Sequence, residues 1–264
     1  MLEILLAVLA GLLIGSFLNV CIFRLPRDLS VVQPRSFCPG CEKTIAWYDN
    51  IPVLSYLLLR TRCRHCGERI PVRYPIVELA TGAAFGLSVA AFGLSPHALK
   101  YCLFSAILVA LIATDIETQI LPDEFTLGGT ALGLVIAIFV PFPPGLLQLL
   151  MPRTVSPRWI SLGEAALGAF VASGVIWLIG FIFEKVRHRE GMGLGDVKMI
   201  AMIGAFLGLQ ATLLTLIVAS LLGSAFGLIY AAARRKDWRT HELPFGSFLG
   251  AAALLIAALY SRIT

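Results

Sequence analysis

Two aspartates and four cysteines carry most of the chemistry that this sequence offers. Asp115 closes the apolar run 103–114, and Asp196 sits in Gly193-Leu-Gly-Asp196 at the head of another apolar run. A carboxylate beside hydrocarbon is costly, and its presence there marks a functional position by default. Two carboxylates that meet in a low-dielectric site cannot both ionise, so one keeps its proton while the other can take one from a water molecule. That division of roles is the chemistry of an aspartyl protease. The charged member activates water against a peptide carbonyl, and the protonated member hydrogen-bonds the developing oxyanion and then assists departure of the amine. Gly191, Gly193 and Gly195 around Asp196 lack the Cβ that would keep an extended substrate backbone at a distance. The competing role for each acid is a helix cap at the membrane interface. It suits Asp196, which precedes a helix, better than Asp115, whose charge would oppose the dipole of a helix C-terminus.

Cys38-x-x-Cys41 and Cys63-x-x-Cys66 form the second constellation, with 21 residues between the pairs. Two residues between thiolates let both sulfurs reach one ion at about 2.3 Å, and two such turns complete the tetrahedron of a structural zinc site. The gap between the pairs is slightly longer than the usual spacing of paired knuckles. Disulfides are the alternative, and a reducing compartment opposes them. With four protein ligands the metal has no open position, so its role is expected to be structural. His65 is expected to be a bystander, and Cys21 and Cys102, within apolar runs, to be packing residues.

The elements that must position these residues follow from composition. Of 264 residues, 58% are hydrophobic and 14% charged, with a mean hydropathy of +0.86, against about 25% charged residues in soluble domains. The expected fold is an all-α polytopic membrane protein, because about 20 apolar helical residues span a bilayer. A disordered chain, a disulfide-rich secreted domain and a lipid-facing β-barrel are excluded. About eight transmembrane helices are expected, near 2–23, 76–94, 99–117, 124–141, 162–183, 197–209, 212–233 and 243–260. The domains follow as 1–23, a first transmembrane helix; 24–75, a small loop domain holding the zinc site; and 76–264, a membrane domain of about seven helices.

Alternating the sides places 17 of the 21 Lys and Arg residues on the side of the loops 24–75, 184–196 and 234–242, Lys198 lying just beyond the second, and leaves only Lys100, Arg153, Arg158 and Arg262 opposite. By the positive-inside rule the rich side is cytoplasmic, and both aspartates fall at that face. The first apolar run lacks a basic front and is followed by Arg24 and Arg27, so it reads as a spanning helix and not as a cleaved signal. The net charge of +5 reports topology and contact with anionic lipid, and no nucleic-acid partner is expected. The loop 142–161 carries Pro143, Pro144, Pro152 and Pro157, with room for an interfacial turn at 146–151 and no evident chemistry.

Several stretches carry a family resemblance. They are Gly15-Ser-Phe-Leu-Asn-Val20 with Arg24-Leu-Pro26, the two Cys pairs, and Pro71-Val-Arg-Tyr-Pro-Ile-Val-Glu78. They continue with Asp115 and Leu121-Pro-Asp123, Gly191-Met-Gly-Leu-Gly-Asp-Val-Lys198, and Leu243-Pro-Phe-Gly246. Together they resemble the type IV prepilin peptidases, bifunctional leader peptidases and N-methyltransferases of the bacterial inner membrane, over nearly the whole chain. The resemblance implies that Asp115 and Asp196 are the catalytic pair. It also implies a prepilin or pseudopilin substrate whose short basic leader ends in Gly before an apolar helix, and S-adenosylmethionine as donor of a methyl group to the freed amine. No Gly-x-Gly-x-x-Gly motif is present to mark a pocket for that donor. Two positions depart from the family pattern. Thr61 stands where Gly is frequent, before the second Cys pair, and Ser247 stands where Pro is frequent, after Leu-Pro-Phe-Gly.

Around these motifs, Asp123 is a candidate N-cap or catalytic support. Glu117 and Glu124 are expected at the interface, and Lys198 is expected to meet a phosphate or a carboxylate. Glu78 is a candidate N-terminal-turn acid or methyltransferase residue, and Asn19 needs a polar partner within the membrane. Two other functions use the same residues: an ion- or proton-coupled transporter working through Asp115 and Asp196, and a non-catalytic zinc-bearing assembly factor. Against the transporter stand the lack of an internal repeat and the glycine-rich approach to Asp196.

Overall fold

The computed structural model describes residues 1–264 apart from 143–144, 152–153, 188–192, 235–243 and 261–264. Gly191, Leu243 and nearly all of the basic loop 234–242 therefore lie outside the described residues. The described chain is helical, and its only β-pairing consists of two isolated bridges, Phe37 with Thr44 and Arg62 with Arg69. The chain divides into two compact units, Met1–Thr114 and Asp115–Thr264.

The first unit contains α1 (Leu2–Arg24), the five-residue α2 (Leu54–Leu58), α3 (Arg73–Phe92) and most of α4 (Pro96–Thr118). Helices α1 and α3 pack through small residues, as membrane helices do when van der Waals contact must replace the hydrophobic effect. A Cβ on Gly11 would lie 2.7 Å from the Cα of Gly82, and one on Gly15 would lie 2.7 Å from the Cα of Glu78. The residue types that weaken a soluble helix are here what lets two backbones touch.

The second unit holds α5 (Asp123–Phe139), the short α6 (Leu146–Leu150), α7 (Pro157–Arg187), α8 (Leu194–Arg234) and α9 (Phe245–Tyr260). The start of α8 is its centre, with Met199, Ile200, Met202, Ile203, Ala205 and Phe206 fully buried. A Cβ on Gly133 of α5 would lie 2.9 Å from the side chain of Ala205, and Gly168 of α7 meets α8 backbone at Gly204 and Gly208. Gly208 has φ 78 and ψ 173, which breaks α8 into two helices. This break accounts for the short apolar segment expected at 197–209.

Among the described residues, five helices are long and apolar enough to cross a membrane: Leu2–Arg27, Arg73–Phe92, Pro96–Thr118, Pro157–Arg187 and Leu194–Tyr230. Helices α5 and α9 are shorter, at 17 and 16 residues. The chain is thus an all-helical, multi-pass membrane protein by length and composition. The turn expected near 146–151 is α6, and the N–H of its Leu147 donates 2.5 Å to Oε1 of the buried Glu164.

Candidate active site

Asp115 lies in the last turn of α4 and is 5% exposed. Its Oδ2 accepts two hydrogen bonds from Ser247 in the first turn of α9, one from the backbone N–H at 2.5 Å and one from the hydroxyl at 2.8 Å. The first N–H groups of a helix have no intrahelical acceptor, so the N-terminus of α9 is a natural seat for a carboxylate. Gly246 makes the approach possible, since a Cβ there would lie 3.1 Å from the Asp115 carboxyl carbon.

Asp196 is in the first turn of α8, with its N–H on the carbonyl of Gly193 at 3.1 Å. It is close enough to Asp115 for their charges to repel, although 81 positions separate the two in sequence. Leu121 lies against both glycines that flank the pair. Its side chain would be 3.3 Å from a Cβ on Gly195 and 3.2 Å from one on Gly246. The loop from α4 to α5 is thereby packed against the first turns of α8, which carries Asp196, and of α9, which carries Ser247. Lys198 reaches Asp123 at the start of α5, at 2.7 and 3.0 Å, and so ties the head of α8 to the same loop. The expectation that Lys198 meets a carboxylate holds. Asp123 is not an N-cap: Pro122 occupies that position, and the Asp123 carboxylate is engaged by Lys198. Glu117 and Glu124 are exposed.

The four cysteines come together within the first unit. All four Sγ atoms lie within 4.8 Å of one another, and Cys38 and Cys66 are 3.7 Å apart. The edge of a zinc–thiolate tetrahedron with bonds of about 2.3 Å is about 3.8 Å, so the donor set fits such an ion. Each Cys pair sits in a tight knuckle of the same design. The N–H of Cys38 bonds Lys43 O and that of Cys63 bonds Glu68 O, while Glu42 and Gly67 bond back to Cys38 O and Cys63 O. Glu42 and Gly67, each just after the second Cys of its pair, have φ of 55 and 75. Backbone N–H groups of Cys66 and His65 draw the Cys63 thiol down to about 7, whereas burial pushes Cys38 up and the neighbouring thiols of Cys63, Cys38 and Cys41 help push Cys66 up. Of these three, Cys63 is the one drawn toward the thiolate that a metal requires. His65 is exposed and stands outside the cluster. Beside the knuckles, Arg64 bonds both carboxylate oxygens of Asp49, at 2.8 and 2.6 Å, and holds that carboxyl below its ordinary range.

The remaining motif residues fasten this loop to its helices. Buried Arg24 donates to the carbonyls of Ser30, Pro34 and Arg35, ordering the chain ahead of the first knuckle. Asn19 finds its polar partner in Tyr74 O at 3.1 Å. Glu78 lies in the second turn of α3 and not the first, and its Oε2 accepts the N–H of Val53 at 2.7 Å. Cys21 and Cys102 are buried. Ser247 entered the sequence reading only as a departure from a pattern. Its adjacency to Leu-Pro-Phe-Gly was the available signal, and its partner lies 132 positions away.

Residues 9–92 match the bacterial peptidase A24 N-terminal domain, and residues 102–228 match the type IV leader peptidase family. A prepilin leader peptidase/N-methyltransferase of Burkholderia pseudomallei is 36% identical over 93% of this chain and 82% of its own. A protein of the same name from Myxococcus xanthus is 40% identical over 83% of this chain, a match spanning 60% of that relative. A type 4 prepilin-like proteins leader peptide-processing enzyme of Escherichia coli is 36% identical over 97% of this chain and 94% of its own. No solved structure matches the chain. On these matches the chain belongs to the type IV leader peptidase family.

Proposed function

We propose that this chain is a membrane aspartyl endopeptidase that removes the leader of prepilins or pseudopilins and then N-methylates the new N-terminus, with Asp115 and Asp196 as its catalytic pair. The observation that carries this reading is the convergence of two acids, 81 positions apart, at the ends of two different helices of one unit. The names of the relatives supply the reaction and substrate class. In cleavage, one carboxylate takes a proton from water as the oxygen adds to the scissile carbonyl carbon, and the other carboxyl gives its proton to the carbonyl oxygen. The tetrahedral species then collapses as the first proton passes to the leaving nitrogen and a hydroxyl of the gem-diol returns its proton to the second carboxylate. The glycines beside Asp196 admit the extended leader junction, which ends in Gly.

The chain is read as crossing the bacterial inner membrane about eight times, with α5, both halves of α8, and α9 among the spans. The excess of Lys and Arg in 24–75 supports a cytoplasmic position for that loop and for the catalytic face. Cys38, Cys41, Cys63 and Cys66 hold a structural zinc ion that keeps the two knuckles together. S-adenosylmethionine supplies the methyl group. The polar groups of the first unit open to that step are Asn19, whose Oδ1 has no hydrogen-bond donor among the described residues, and Glu78. The enzyme's basic loops do not attract a basic leader in bulk, so docking rests on local acids or on the apolar helix of the substrate.

The test is an intact mass spectrum of a prepilin co-expressed with this chain. Loss of the leader together with gain of one methyl group is expected. A full-length prepilin, across prepilins of different leader sequence, would contradict the proposal.

A further inference from the structure

The two carboxyl groups of the pair are not equivalent in their surroundings. Ser247 directs two donors at a single oxygen, Oδ2 of Asp115, and its N–H shares itself with Pro244 O at a longer 3.2 Å. No hydrogen bond reaches the Asp196 carboxyl among the described residues. Both acids sit by helix N-termini, so the helix dipoles alone do not tell them apart. Directed donors do, because a carboxylate that accepts hydrogen bonds is favoured over the protonated acid, and an oxygen with both lone pairs engaged is a poor carrier for the shared proton.

Resting on the peptidase reading above, we infer that Ser247 is a positioning residue that keeps Oδ2 of Asp115 proton-free, making Asp115 the member that activates water and Asp196 the member that carries the proton. Oδ1 of Asp115 then faces the water, while Oδ2 is held by the first turn of α9. The proton taken from water goes to Asp115. The proton given to the carbonyl oxygen comes from Asp196; as the gem-diol collapses, the Asp115 proton leaves with the amine and a gem-diol hydroxyl returns its proton to Asp196, so the pair returns to its starting state.

The test compares Ser247→Ala, which keeps the N–H and loses the hydroxyl, with Ser247→Thr, which keeps both donors. Loss of one hydrogen bond to a charged acceptor predicts a kcat for leader cleavage about tenfold lower in Ser247→Ala. KM is expected to be unchanged and the melting temperature close to that of the parent. Ser247→Thr is expected to stay within about twofold of the parent. An Ala variant as fast as the parent, or a Thr variant as impaired as Ala, would overturn the role. A second readout does not depend on cleavage. In infrared difference spectra against the parent, Asp115→Asn is expected to remove a carboxylate band and Asp196→Asn a protonated carboxyl band. The opposite assignment would overturn the inference even if the enzyme cleaves prepilin, whereas failure of the parent to cleave would count against the peptidase reading alone.

Discussion

Thr61 stands at φ 65, next to Arg60 at φ 50, where the chain leaves α2 and turns into the second knuckle. A β-branched residue in the left-handed region is an outlier, and glycine occupies that region without a steric penalty. The Gly that the resemblance leads one to expect here would relieve that backbone strain. Thr61→Gly is expected to raise stability by on the order of 1 kcal/mol, read as a higher melting temperature of the detergent-solubilised protein. An unchanged or lower value would mean that the turn tolerates Thr without strain. At this scale the sequence was most legible where a residue type was out of place. Acids beside apolar runs singled out Asp115 and Asp196, and a lysine two residues past Asp196 pointed to the counter-charge now found at Asp123. Ser247 was marked only as a departure from the family pattern, which says nothing of its partner, and only the fold brings α9 to Asp115.

Among the elements, the knuckles are the most strongly specified. A loop of about 50 residues is too small to build a stable core by burial alone, and a metal held by the four cysteines would supply what burial does not. One zinc ion per chain is expected by elemental analysis of the purified protein. Cys63→Ser, or a strong chelator, is expected to remove it and to speed hydrogen exchange at the backbone bonds that close the knuckles, those of Cys38, Cys63 and Gly67. Protection unchanged after metal loss would show that Arg24 and Glu78 suffice to hold the loop. The helices were legible from apolar runs, and their ends less so. Helix α8 shows both sides: the division expected between 197–209 and 212–233 is present, but its position, at Gly208, is set by backbone conformation and not by hydropathy. Glycine in an apolar helix can equally be a contact residue, as Gly168 and Gly204 are, and composition does not separate the two uses.

For the whole molecule, charge carries the information about orientation. With 16 of 21 basic residues on one set of loops and Lys198 just beyond them, a reporter active only in the cytoplasm is expected to work when inserted in 24–75 and to fail in 142–161. The reverse pattern would invert the assigned topology and put the aspartates on the outer face. The division into two units could not be seen in a sequence of nearly continuous apolar segments, because it depends on which helices touch. The most direct measurement of the central claim is the cleavage rate of purified Asp115→Asn and Asp196→Asn variants on a prepilin, with zinc content and melting temperature as controls. Each variant is expected to keep its zinc and its fold while losing cleavage by about a thousandfold or more, since neither carboxyl can complete the proton transfers alone. A folded variant that still cuts at the parent rate would contradict the assignment of these two residues to the chemistry.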